Sequence, residues 1–223
     1  MPDFLDAWRN MVSSEDLPTA VREHLGFLTD SEECRQLLDE LLSRLVGADI
    51  AGDELELIFQ YAEYPDEECV VTFDAPYAGS TSEAPPSATE VVRVHNGIGW
   101  ESLGGGGFGF RGFNEDVFIG GGGWESEALE EAEDSNSRFL EQLHEAGLTH
   151  HHVVSPSNYG QNWLIWNPAE KNLRGEPTVY FVSHGDCIAA PVERARDLAF
   201  GPLILRIMAQ DILGRQIFDE VYS

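Results

Sequence analysis

Several stretches of this chain hold residue types that can do chemistry. Ser183-His184-Gly185-Asp186-Cys187 places a nucleophile, a base and a carboxylate in one run. A catalytic triad is an arrangement in space, and chain neighbours rarely supply it. The G-x-S-x-G turn that exposes a hydrolase serine is missing. The run reads instead as a strand end, a turn through Gly185 and a second strand from about Cys187, and a hydrolase is the weakest of the functional readings. Gly107-Phe108-Gly109-Phe110-Arg111-Gly112 spells the letters of the dinucleotide fingerprint. That fingerprint works at a strand-to-helix turn, where amides meet a pyrophosphate. Here aromatics fill the gaps and no helix signal follows, so sheet and turn are expected. No glycine cluster is followed by the Lys of a phosphate loop.

His150-His151-His152 raises a metal. Neighbouring strand residues point to opposite faces, so three in a row do not ligate one ion without distortion. No Cys or His stands at zinc-ligand spacing from them. The acidic clusters Asp66-Glu67-Glu68, Glu130-Glu131 and Glu133-Asp134 lack the D-x-D-x-D-G calcium loop. With 40 acids in the chain some carboxylate pair always exists, so none is singled out as a glycosidase pair. No catalytic residue, metal or cofactor is expected.

The elements that must carry these residues follow from periodicity. Phe4, Leu5, Trp8, Met11 and Val12 have helical spacing, and Pro18 sits at a helix start before Val21, Leu25 and Leu28. Asp30 and Glu33 form a capping box for a helix striped by Leu37, Leu38, Leu41, Leu42 and Leu45, with Gly47 as its stop. Leu55–Tyr61 and Cys69–Phe73 are β-rich runs around a turn at Tyr64–Glu68. The Pro- and Ser-rich stretch 75–87 is the best internal linker. Val91–Val94 is ambiguous between helix and strand. The glycine- and aromatic-rich stretch 99–123 reads as twisted or bulged strands with loose turns. An acidic helix is expected over 125–146, then strands at Trp163–Trp166 and Thr178–Val182 around a turn at Asn167-Pro168, and a last helix from about Pro202. Helices and strands come in blocks, which predicts an α+β fold with a largely antiparallel sheet flanked by helices. The division expected is an N-terminal helical segment over 1–52 and an α+β domain over 53–223, in one compact unit.

Charge bounds the partners. The net charge is -27, and it is uneven. Residues 1–75 hold 19 acids and 4 bases, residues 76–150 hold 13 and 3, and residues 151–223 hold 8 and 6. Such a field disfavours phosphate backbones, so no nucleic acid is expected, and it steers a basic protein inward. The candidate contacts are Asp66, Glu67, Glu68, Glu101, Glu125, Glu127, Glu130, Glu131, Glu133 and Asp134. Trp100 and Trp124 are candidate aromatic anchors. No run of 18 apolar residues exists, so no membrane span is expected. The acidic start lacks a secretory basic region, and three scattered cysteines fit a reducing cytoplasm.

The order of motifs resembles the SUKH superfamily. Pro86–Gly97 is similar to the opening of that domain, where an amphipathic segment runs into Asn96-Gly97. Asn158-Tyr159-Gly160 with Trp163–Pro168 resembles its glycine-and-strand segment, and Gly175–Tyr180 with Ser183–Asp186 its closing strand and turn. The resemblance spans about residues 85–215. It implies a non-enzymatic α+β protein: in bacteria an immunity protein that neutralises a toxin domain, elsewhere a regulatory scaffold, which is the alternative reading.

Overall fold

The computed structural model describes residues 4–82, 84–103, 107–115, 117–118, 137–148, 153–156, 162–183 and 188–217. The chain opens with helices α1 (Phe4–Val12) and α2 (Leu17–His24). Asp16 caps α2 by accepting from the Thr19 amide at 3.2 Å, and Pro18 occupies its first turn. A 3-10 turn, Leu25–Leu28, leads to α3 (Glu32–Leu42). Ser31 rather than Asp30 is the N-cap of α3, its hydroxyl accepting from the Cys34 amide at 3.2 Å. The helix also stops sooner than its leucine stripe suggests, because Leu45–Ala51 is strand β1. Leu45 fits the helical stripe and also packs against the core from β1, which hid the change of state. A boundary at 52/53 therefore falls in the tight turn between β1 and β2 (Glu54–Gln60), where Gly52 has φ 70°.

β1 and β2 continue through β3 (Glu68–Asp74), β4 (Gly97–Glu101) and β5 (Gly107–Arg111) as an antiparallel sheet in chain order. Helix α4 (Pro86–Val92) lies between β3 and β4, which settles Val91 and Val92 as helical. The stretch before α4 is no loose linker. The Tyr77 amide donates to the Val92 carbonyl at 2.9 Å, the Asn96 amide donates to Ala75, and the Tyr77 ring stacks on Phe113 at 4.4 Å. After β5 come short strands β6 (Phe113–Asn114) and β7 (Val117–Phe118), then helix α5 (Ser137–Glu145). Of the acidic helix expected over 125–146, the part before Ser137 lies outside the described residues.

A second antiparallel sheet has the order β11-β10-β9-β8, from β8 (Val153–Pro156), β9 (Asn162–Lys171), β10 (Pro177–Ser183) and β11 (Ile188–Pro191). β9 runs straight through Asn167-Pro168, where a turn was expected. The register slips there: Asn167 pairs with Thr178, and the next pair is Lys171 with Pro177. A bulge asks no N–H of the proline, so the strand tolerates it.

Helix α6 (Phe200–Leu213) fills the centre. Only Arg206 and Asp211 along it are even partly exposed, as for a helix apolar on all sides. One face of the five-stranded sheet enters the same core through Leu57, Phe59, Val71, Phe73 and Phe110, with Phe110 edge-on to Phe200 of α6 at 4.6 Å, and the second sheet adds Trp166, Val179 and Phe181. The other face of the second sheet forms a smaller cluster of Trp163, Ile165, Tyr180 and Val182 with Leu143 and Leu148. The fold is α+β with antiparallel sheets and an N-terminal group of helices, as composition and blocking implied.

Gly201 fixes how α6 docks. A Cβ there would lie 2.7 Å from the Phe27 carbonyl oxygen and 3.1 Å from the Leu28 Cα. Both are backbone atoms that cannot swing aside. Gly201→Ala is expected to cost about 1–3 kcal/mol by overpacking, read as a lower urea midpoint with an unchanged slope.

Candidate functional site

Strand alternation sorts the five-stranded sheet into two faces. Leu55, Leu57 and Phe59 of β2 and Cys69, Val71 and Phe73 of β3 point into the core. Glu54, Glu56, Ile58 and Gln60 therefore point outward, beside Glu68, Val70, Thr72 and Asp74 of β3. β1 adds Asp49 opposite Glu56, and β4 adds Glu101. The outer face thus gathers Asp49, Glu54, Glu56, Glu68, Asp74 and Glu101. Arg111, at the end of β5, is the one base that the strand alternation places on it among the described residues.

None of these carboxylates is in an ion pair among the described residues. Among the described residues the ion pairs lie elsewhere: Arg9 with Asp6, Arg22 with Asp39, Arg35 with Glu32, Arg206 with Glu33 and Arg215 with Glu40 on the helical side. Arg174 pairs with Asp30, and Arg196 with Glu170 and Glu193. The scarce arginines compensate the helices and the second sheet and leave the outer face anionic. The crowding registers on Asp74. Burial raises its carboxyl above the ordinary value, the Glu54 charge raises it further, and Arg111 opposes both.

A groove of about 560 Å³ crosses this face, lined by Glu68, Val70, Thr72, Gly99, Trp100, Glu101 and Phe108. Its floor is low because β4 and β5 carry glycine at outward positions. Gly99 pairs with Gly109, and Thr72 lies across from Gly99 with its hydroxyl donating to the Gly99 carbonyl at 3.1 Å. At Gly97 a Cβ would displace the Asp74 carboxylate. Val70 is 40% exposed beside the groove, and Tyr64, in the turn before β3, is 58% exposed.

The sequence-derived contacts divide into three groups. Glu68 and Glu101 meet in the groove, and Asp66 and Glu67 are exposed in the adjoining turn. Trp100 is a correction: it is 5% exposed, stacks on Phe108 at 4.6 Å and donates its indole N–H to the Asp211 carboxylate at 2.7 Å. It belongs to the core and contributes backbone to the groove. Its inward direction follows from pairing with Val71, which is fully buried. Glu125, Glu127, Glu130, Glu131, Glu133 and Asp134, with Trp124, lie outside the described residues, as do His150–His152 and His184–Cys187. Gly107–Arg111 is strand β5 and leads into β6, not into a helix, so the fingerprint letters form no phosphate-binding turn.

Beneath the groove, Tyr61 donates its hydroxyl to the Glu101 carbonyl at 3.2 Å beside Cys69. Burial pushes the Cys69 thiol up to about 11, so at neutral pH it is no thiolate nucleophile. Cys34 and Cys69 are both buried and free.

Two polar arrangements were not anticipated. Glu176, 8% exposed in the turn between β9 and β10, accepts from the Ser87 amide at 2.7 Å and the Ser87 hydroxyl at 2.6 Å, pinning the start of α4. His95 is fully buried among Trp8, Phe27 and Phe73. Its Nδ1 donates to the Asp74 carbonyl at 2.9 Å, which leaves Nε2 as acceptor for the Nε2–H of His24 at 2.7 Å. Desolvation lowers His95 to about 3 and His24 to about 4. No spacing signal marks either pair, because the partners lie 89 and 71 residues apart.

Among the described residues, no helix is long and apolar enough to cross a membrane, and no group of His, Cys, Asp and Glu is arranged to hold a metal ion. Compared with known proteins, the chain matches no family model, no curated protein and no solved structure.

Proposed function

We propose that this protein is a non-enzymatic binding protein that docks a basic protein partner on the outer face of its five-stranded sheet. Its role in this reading is that of a cytoplasmic immunity protein occupying the cationic surface of a toxin domain. The observation that carries the reading is the gathering of Asp49, Glu54, Glu56, Glu68, Asp74 and Glu101 on one face with no ion pair among the described residues. An anionic, rigid face attracts a cationic partner from a distance and orients it before contact. The motif order that resembles the SUKH superfamily supports the same role.

The test is affinity capture from the native organism with two baits, the wild-type chain and the E54Q/E56Q/E68Q/E101Q variant. A basic protein held by the first and lost from the second is expected, encoded beside this gene. Its association should slow about 10–10³-fold between low and high ionic strength. A rate indifferent to salt would contradict the reading.

A further inference from the structure

We propose that the groove over β3, β4 and β5 is an arginine seat: an extended segment of the basic partner lays the methylene stem of an arginine along Val70, with its guanidinium over the backbone at Gly99 and held by Glu68 and Glu101. The inference rests on the docking function proposed above and adds what the face selects.

The groove differs from the rest of the acidic face in shape. Elsewhere outward side chains stand up from the strands, as Glu56 does opposite Asp49. At Gly99, on the groove lining, the strand sends no side chain outward, and its neighbour there is the Thr72 hydroxyl. A flat group can lie on such a floor, and a guanidinium is flat, weakly hydrated and stacks on planar surfaces. A lysine ammonium is a compact, strongly hydrated point charge and gains little from a planar floor. The rims match the rest of the arginine. Val70, 40% exposed, offers an apolar wall for the methylene stem. Glu68 and Glu101 are exposed carboxylates bordering the same groove, able to take the paired N–H donors of the guanidinium fork. At about 560 Å³ the groove has room for one such side chain with its flanking backbone.

Fluorescence anisotropy with two synthetic peptides of equal length and charge, one alternating Ser and Arg and the other Ser and Lys, tests the seat on the full chain. The Arg peptide is expected to bind about ten-fold tighter than the Lys peptide at the same ionic strength. Thr72→Phe places a ring beside Gly99, where an aromatic covers the glycine and supports the sheet. It should erase the preference, and an undiminished melting temperature shows that the variant is folded. Equal affinity for both peptides overturns the seat, as does no binding of either, or a preference that survives Thr72→Phe in a folded variant. The E68Q/E101Q variant separates the two levels. If it weakens both peptides while they bind equally, the docking function stands and the seat falls. If it weakens neither, both fall.

Discussion

Replacing His95 with alanine is expected to remove about 3–5 kcal/mol of stability, a large share of the total for a domain of this size. The ring is fully buried and touches elements from four parts of the chain: Trp8 of α1, His24 of α2, Phe27 of the 3-10 turn and Phe73 of β3. Its loss leaves a cavity and strips partners from the Asp74 carbonyl and the His24 N–H. The same pair makes the fold acid-sensitive. In the folded chain His24 stays neutral down to about 4 and His95 down to about 3, while in the unfolded chain both take a proton near 6.5. The unfolded state therefore binds more protons below pH 6.5, and stability falls as pH falls from there toward 4 and then 3. The slope approaches about 1.4 kcal/mol per pH unit for each ring. Urea midpoints between pH 8 and 4.5 check this. His24→Gln keeps a donor toward His95 and removes one titrating group, so it should flatten the slope while His95→Ala lowers the whole curve. A midpoint constant from pH 7 to pH 5 would contradict the neutral pair.

Neutralising the outer face should leave the fold intact and disable association. Glu54, Glu56, Glu68 and Glu101 point away from the core and make no ion pair among the described residues. Their change to glutamine removes like-charge repulsion, so the melting temperature should hold or rise. Encounter with a basic partner should slow by about 10–10³-fold, with most of the salt dependence lost. A control variant, E15Q/E23Q/E90Q/E141Q, changes the net charge equally at exposed positions on helices and in the connection before α2. It should slow association only slightly. Equal slowing in both variants would mean that total charge acts, not the face. Burial raises Asp74 most and the Glu54 charge adds to it, so a cationic group docked beside it should pull its titration down, a shift visible by carboxyl NMR.

Much of this architecture is legible in the amino-acid order. The β2 and β3 runs, the final helix and the antiparallel character follow from alternation and blocking. The limits are physical. Leu45 satisfies helix and strand patterns alike, so β1 stayed hidden and with it the outward place of Asp49. Pro168 reads as a breaker, yet a bulge absorbs it. Charge density alone ranked Asp66–Glu68 and Glu101 and missed Glu54 and Glu56. Period-2 alternation through Glu54–Gln60 marks those two, since Leu55, Leu57 and Phe59 demand the core. Trp100 was misread because aromatic content does not tell inside from outside, whereas its register with Val71 does. His95 and Glu176 acquire meaning only from partners far away in the chain.

Carboxylate footprinting, with a carbodiimide and an amine label read by mass spectrometry, addresses the docking face most directly. Labelling is compared for the free protein and its complex with the captured partner. Glu54, Glu56, Glu68 and Glu101 should lose reactivity together in the complex, while Glu15, Glu23 and Glu90 label as before. Protection confined to the helical acids, with the sheet carboxylates still fully reactive, would contradict the account.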